Sequence, residues 1–261
     1  MLFPPPECVL GTEEVLIALA LLVVATLYSS VGHGGASGYL AILSLTSFAS
    51  MEDIWLKQHA WSLNLIVAAI AFYHYRRAGH HIPRMSRVFI LASIPMAFAG
   101  GYLLVEGYVY DVLLSVTLVW ASFRLFTASS EYDDVSIQEI PISKAVPAGA
   151  GIGLLSGIVG VGGGIFLSPL LLLKRWATPK AAAATAALFI WVNSAAALTG
   201  SYLSGEWVVE TDTLAPFGTA VLIGGVVGSR LGSDLIPQRT VRVFLVVVLM
   251  LAAARRVLLI V

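Results

Sequence analysis

Val159-Gly160-Val161-Gly162-Gly163-Gly164 interrupts an apolar stretch running from 147 to 173, and Val31-Gly32-His33-Gly34-Gly35 interrupts a second one from 15 to 49. A helix broken inside hydrocarbon leaves N–H and C=O groups unpaired, so such breaks persist only where protein or a watery cavity satisfies them. The two interruptions also match each other. Gly32 aligns with Gly160, Gly34 with Gly162 and Gly35 with Gly163, at a constant offset of 160 − 32 = 128. The series continues with Asn64 and Asn193 at 129, Gly100 and Gly228 at 128, and Arg124 and Arg256 at 132. An ordered series of this kind marks a tandem duplication. Residues 1–127 form the first copy and 147–261 the second. The joint, 128–146, opens with Ser129-Ser130-Glu131-Tyr132-Asp133-Asp134, a polar linker by composition.

Composition fixes the surroundings of these breaks. Of 261 residues 58% are hydrophobic and only 11% charged, with a mean hydropathy of +0.90. Soluble domains carry about a quarter charged residues, and even a domain of about 300 residues buries only about 75% of its unfolded surface. The solvent of this chain is therefore a lipid bilayer. Fifteen Lys and Arg against fifteen Asp and Glu exclude the basic face that a nucleic-acid partner requires. The single Cys8 excludes an internal disulfide or a cysteine-built metal site, and no cofactor is expected. Pro4, Pro5, Pro6, Glu7, Glu13 and Glu14 make an acidic lead-in that lacks the basic start of a signal peptide.

Crossing about 30 Å of hydrocarbon takes roughly 20 helical residues. The apolar runs are 15–31, 36–49, 58–75, 88–105, 109–127, 147–159, 164–173, 181–203, 214–232 and 241–261. Each half thus holds a glycine-broken hairpin followed by three long helices. An odd number of crossings per copy turns the second copy upside down.

Loop charges agree with that inversion, because Lys and Arg collect on the cytoplasmic side. The loop with Arg76, Arg77, Arg84 and Arg87 corresponds to one with Glu206, Glu210 and Asp212. Glu106 and Asp111 correspond to Arg230, Arg239 and Arg242, and Glu52 and Asp53 to Lys174, Arg175 and Lys180. With both termini outside, Arg124 and Lys144 join the cytoplasmic set, making 12 of 15 basic residues; Lys57, Arg255 and Arg256 remain outside. The expected fold is an all-α polytopic membrane protein of two inverted repeats, multi-pass in the plasma membrane.

Matching glycine-interrupted segments in inverted halves point to a transporter's binding site near the midplane. After each break a new helix starts, near Ala36 and near Ile165, and its N–H groups and positive dipole end suit a small anion. Candidate binding residues are Ser30, Gly32, His33, Gly34 and Gly35 in the first copy and Gly160, Gly162, Gly163 and Gly164 in the second. Asn64 and Asn193 lie in apolar helices, where an amide either donates to an oxyanion without a buried charge or joins two helices. Lys57, Trp61 and Asn64 share one helical face by i, i+4, i+7 spacing. Lys57 either draws anions in or snorkels to the interface. His33, the only ionisable residue in either break, is placed to exchange a proton with substrate or to bond loop backbone. His74, His80 and His81 lie among arginines and read as an anchor.

Residues 157–172, Gly-Ile-Val-Gly-Val-Gly-Gly-Gly-Ile-Phe-Leu-Ser-Pro-Leu-Leu-Leu, resemble the glycine-rich signature of the sulfite exporter TauE/SafE family of membrane transporters. The similarity continues through Lys180 to Asn193, the 218–232 helix and the arginine-containing loop before the last run. The first half departs at two points: His33 stands opposite Val161, and Ala41 opposite Pro169. The resemblance implies export of sulfite or a related organosulfonate or sulfur oxyanion.

Other functions find weaker footing. An anion channel would share the same architecture. Gly35-Ala36-Ser37-Gly38 has the Gly-x-Ser-Gly form of an intramembrane serine hydrolase, with His33 or His59 as base, but the second copy has Ile165 opposite Ser37. Neither glycine cluster is followed by Lys and Ser/Thr, as a phosphate loop requires, and Ser37 and Ile165 occupy the third glycine of a dinucleotide pattern. The chain carries no ATP-binding loop, so ion or substrate gradients would supply the drive.

Overall fold

The computed structural model describes residues 11–103 and 138–235 and, between them, 105, 107–109, 112, 113, 115, 116, 119, 120 and 123. Cys8, Glu106, Asp111, Arg124, most of the 128–146 joint and everything after Leu235, including the 241–261 run with Arg255 and Arg256, lie outside the described residues. The described chain is all-α, without strands. Its helices are α1 (Thr12–Ser29), α2 (Ala36–Leu43), α3 (Asp53–Arg77), α4 (Pro83–Tyr102), α5 (Ile142–Val159), α6 (Gly164–Leu173), α7 (Pro179–Leu203) and α8 (Thr211–Asp234). A turn of 3-10 helix spans Ser47–Ser50.

Helix ends follow local chemistry. Thr178 caps α7, its hydroxyl accepting from the Ala181 N–H at 3.3 Å, with Pro179 in the first turn, where its missing donor is harmless. The α1 start is closed by Glu14, which accepts from the Gly11 N–H at 2.9 Å. Helix α5 begins at Ile142, ahead of the apolar run at 147, with Pro141 at the cap and the polar Ser143 and Lys144 in its first turn.

Five helices, α1, α4, α5, α7 and α8, are long and apolar enough to cross a membrane. Helix α7 is the central one: 67% of its most apolar window is buried, against 33% to 39% in the other four. Their outer faces carry Leu16, Leu19, Leu91, Leu155, Leu222 and Ile223, all exposed, as a lipid-facing surface demands. Helix α3 is as long as α7 but much less apolar. Its first half carries Lys57, Gln58, His59, Ser62 and Asn64, all buried, so its polarity is spent inside the protein.

Backbones approach through glycine. On α5, a methyl at Gly149, Gly153 or Gly157 would strike the carbonyl oxygen of Phe89, Ser93 or Ala97 on α4. On α8, Gly224, Gly228 and Gly232 meet the carbonyls of Leu22, Thr26 and Ser30 in the same way. The four-residue step keeps three glycines on one face, and without a hydrophobic force between helices in lipid this close packing replaces it.

Helix α3 serves as a ruler for the breaks. Its C-terminal end lies beside the end of α8, with His74 Nδ1 and Ser229 Oγ 2.6 Å apart, and near the start of α7, where Lys180 donates to the Ser233 carbonyl at 2.7 Å. Its N-terminal end lies beside the α7–α8 loop through Gln58 and His59. Helix α1 starts near the N-terminal end of α3, where Glu13 accepts from the Ser47 N–H at 2.9 Å, and runs down to Ser30, whose carbonyl accepts from Tyr75 Oη at 2.7 Å. The break then climbs to the level of Asn64, and α2 returns towards the end from which α1 came. Helix α5 enters from the other end and climbs to Gly160 beside Lys57. Its break falls back to Asn64, and α6 returns. Each hairpin therefore makes no net crossing, and the two enter from opposite ends.

Charge separates along the same axis. The Arg76, Arg77, Arg84, Arg87, Lys174, Arg175, Lys180 and Arg230 side chains gather at the C-terminal end of α3, where the described acids are Glu139 and Asp234. Glu13, Glu14, Glu52, Asp53, Glu206, Glu210 and Asp212 gather at the other. At the basic end burial and the neighbouring Arg76 both lower the pKa of His81, whose Nε2 lies 3.0 Å from Ser86 Oγ.

Two outcomes follow from this packing. In a Cys8→Ser background, Ala78→Cys and Glu206→Cys, both exposed, react with a membrane-impermeant maleimide from opposite sides of a sealed vesicle; same-side labelling contradicts the arrangement. Gly153→Leu pushes α5 off α4 and lowers stability by about 1 to 3 kcal/mol, the usual cost of overpacking, read as a lower unfolding midpoint in detergent.

Candidate functional site

The two breaks meet at a single side chain. A methyl on Gly34 would strike Asn64 Oδ1, and one on Gly162 would strike Asn64 Nδ2, so the α3 asparagine is wedged between them. Ile190 of α7 closes the opposite side, lying against Gly34, Gly162 and Gly164. All of Gly32 to Gly35 and Gly160 to Gly164 are buried.

Backbone geometry explains the glycines. Gly32 and Gly160, which the sequence offset of 128 pairs, have φ of 73° and 88°, and Gly35 and Gly163 have 104° and 81°. Glycine reaches these left-handed conformations at little cost, whereas a side chain there is strained. Gly35 and Gly163 are also the N-caps of α2 and α6, so the two glycine clusters share a cap geometry.

Asn64 and Asn193 are not equivalent in their bonding. Asn64 Oδ1 accepts from the Ala36 N–H at 3.0 Å, and its Nδ2 donates to Ser194 Oγ at 3.3 Å. The Ala36 N–H, expected from the sequence to face an anion, is thus taken by Asn64. Asn193 is completely buried, yet neither its Oδ1 nor its Nδ2 has a hydrogen-bond partner among the described residues. Leaving such a group unpaired costs about 1 to 3 kcal/mol. It lies on α7 one turn beyond Phe189 and Ile190, whose side chains touch Gly163 and Gly164. Ser156, beside Gly163, is likewise buried with an unpartnered hydroxyl.

The remaining expected residues have definite positions. His33 is 5% exposed; its Nδ1 sits 2.9 Å from the Val31 carbonyl, and its Cδ2 faces Gly164. Ser30 Oγ donates to the Leu27 carbonyl at 2.7 Å. Lys57 is 1% exposed and donates to the Val105 carbonyl at 2.8 Å, while its Cγ packs on Gly160. Ser37 Oγ pairs with Tyr28 Oη at 2.8 Å, within a completely buried setting, rather than with a histidine base.

Several residues of this region escape a sequence reading. Tyr39 Oη donates to the Gly34 carbonyl at 2.6 Å, satisfying a group the break would orphan. Gln58 Nε2 donates to Ser201 Oγ at 2.8 Å and to the Glu206 carbonyl at 2.6 Å, and its Oε1 accepts from the Val208 N–H at 3.0 Å. His59 Nε2 accepts from the Glu210 N–H at 3.2 Å. A polar run on α3, Lys57-Gln58-His59, is the only sequence signal these contacts leave.

The fold defines a multi-pass membrane protein with two facing broken-helix hairpins, and the comparisons name its class. The family model for the sulfite exporter TauE/SafE matches residues 16–256. A "Probable membrane transporter protein y4hK" from Sinorhizobium fredii (strain NBRC 101917 / NGR234) is 33% identical over 249 residues, covering 94% of this chain and 99% of the relative. No solved structure matches the chain. The chain belongs to the sulfite exporter TauE/SafE family of membrane transporters.

The unequal bonding of the two asparagines gives a stability test. Asn64→Leu strips the Ala36 N–H and Ser194 of their partner and lowers stability by about 1 to 3 kcal/mol. Asn193→Leu removes an unpartnered amide and leaves the unfolding midpoint unchanged or higher. Equal losses in detergent melts would show that Asn193 is bonded as Asn64 is.

Proposed function

We propose that the protein exports a small anion, sulfite or a related organosulfonate or sulfur oxyanion, across the plasma membrane through a midplane site between the two breaks. The carrying observation is the meeting of the breaks at Asn64 and Ile190 from opposite ends of α3. Opposed entry is what two inverted repeats produce, with copies 1–127 and 147–261 joined by a cytoplasmic linker at 128–146. Segregated charge supports placing the basic end in the cytoplasm and both termini outside.

In this reading the donors are uncharged. The start of α6, beyond Gly163, offers N–H groups and the positive end of a helix dipole. Asn193 Nδ2 adds an amide from α7, and Ser156 a hydroxyl. Gly32, Gly34 and Gly35 with Gly160, Gly162, Gly163 and Gly164 let backbone approach the ligand without intervening side chains. Asn64 serves as the shared brace of both hairpins; His33 lies against Gly164, Lys57 packs on Gly160, and Ser30 precedes the first break. Fixed dipoles stabilise an anion in hydrocarbon without the cost of a permanently buried cation. The membrane potential supplies drive, since an anion leaving a negative interior gains about 2.3 kcal/mol per charge per 100 mV.

Proteoliposomes loaded with radiolabelled sulfite test the reading. Wild-type protein releases label in a saturable manner, faster when the loaded side is made negative, and Asn193→Leu loses about tenfold or more of that rate while remaining folded. Flux that rises linearly with concentration favours a channel. Absence of flux with sulfite, thiosulfate and sulfoacetate alike sinks the substrate class.

A further inference from the structure

Trp61 is completely buried in the middle of α3, and its indole Nε1 has no hydrogen-bond partner among the described residues. An indole N–H is a donor only, and a buried one normally finds an acceptor. Two observations place it beside the breaks. By helical phase Trp61 shares a face with Lys57, whose Cγ and Cα pack on Gly160, and with Asn64, which touches Gly34 and Gly162; it lies between these two contact points. The duplication agrees: the offset pairing Asn64 with Asn193, 193 − 64 = 129, also pairs Trp61 with Ile190, 190 − 61 = 129. Ile190 is the α7 residue that touches both breaks. Trp61 also belongs to none of the apolar clusters, although Trp55, Leu56, Ala60 and Leu63 around it in sequence do.

We propose that the Trp61 indole N–H is a substrate-contacting donor, reaching the transported oxyanion from α3 across from Asn193 on α7. The inference rests on the transport reading above and adds to it a specificity-determining residue. One donor comes from each copy, and the two differ in kind: an amide with an acceptor oxygen beside its N–H group, and an indole that only donates. A ligand oxygen carrying a proton is a weaker acceptor for the indole than a charged one. Trp61 therefore favours the unprotonated face of an oxyanion.

Trp55 supplies an internal control. Its Nε1 is also buried and unpartnered, but it lies two residues before Lys57 and so on another side of α3, stacked on His59 at 3.8 Å and on Phe48 at 5.2 Å.

The test uses detergent-solubilised full-length protein with sulfite as the probe. The chain has six tryptophans, so labelling with ¹⁵N-indole gives six N–H resonances, and the Trp61 signal is identified by substituting the other five singly. Added sulfite moves the Trp61 proton downfield in a saturable way and leaves Trp55 in place. Trp61→Phe, which keeps a ring and removes the donor, weakens sulfite binding by about tenfold or more, whereas Trp55→Phe binds within about twofold of wild type. An unmoved Trp61 resonance in wild-type protein that binds sulfite overturns the proposal, even if Trp61→Phe proves unstable. Unchanged affinity in a folded Trp61→Phe does the same. If Asn193→Leu weakens binding while Trp61→Phe does not, the transport reading stands and only the indole contact falls. If wild-type protein binds none of sulfite, thiosulfate and sulfoacetate, both fall together.

Discussion

Everything in this molecule is arranged around backbone that no helix can satisfy. Two hairpin tips, each rich in glycine, lie buried in the centre of an otherwise apolar bundle. Their polar groups are answered one at a time: Tyr39 takes the Gly34 carbonyl, Asn64 takes the Ala36 N–H, and Tyr75 takes the carbonyl of Ser30. Each answer comes from a side chain that would be costly to bury alone, so donor and acceptor offset each other's desolvation. Among the described residues the buried groups without a partner include the Asn193 amide, the Ser156 hydroxyl and the Trp61 indole, together with Trp55, Ser115 and Ser168. The unpartnered Asn193 amide and Ser156 hydroxyl are the donors that the proposed site uses.

Helix α3 carries the burden of organisation, and it does so by being polar where its neighbours are not. Asn64 at its centre braces both hairpins. Gln58 and His59 hold its N-terminal end to the loop before α8, while Tyr75 and His74 hold the other end to Ser30 and to α8. The two sets of contacts lie on opposite sides of the central asparagine and share few partners. A transporter must open towards each side in turn, and hydrogen-bonded contacts at the two ends of one helix, unlike a continuous greasy seam, can be released separately.

Close backbone approach is what permits this economy. Glycines spaced four apart on α5 and α8 bring carbonyl oxygens of α4 and α1 against the facing helix. The gain is dispersion and weak C–H···O contact, which is the main attraction available between helices in lipid. These stripes leave the flanking surfaces free for Leu and Ile, which face lipid. They also fix the depth at which each hairpin tip stops, because α1 and α5 are the long arms of the hairpins.

The sequence alone carried the all-α, membrane-spanning class of the fold. Apolar runs, the constant offset between glycine clusters and the alternation of basic and acidic loops are one-dimensional patterns, and each has a direct physical cause in hydrocarbon thickness, backbone satisfaction or membrane insertion. Family membership was legible too, in the stretch from Gly157 to Leu172. Partner choice was not, because it depends on which residues three-dimensional packing brings within about 3 Å. Asn64 and Asn193 look alike in sequence, yet only Asn64 is bonded to a hairpin tip. Lys57 reads as an interfacial cation, yet it is buried on the Val105 carbonyl. Tyr39 and Gln58 carry no motif, since a single hydrogen bond leaves no periodic trace. Periodicity and charge report what solvent each segment meets, so they set topology; the site is set by contacts between distant segments, and only the tertiary structure decides those.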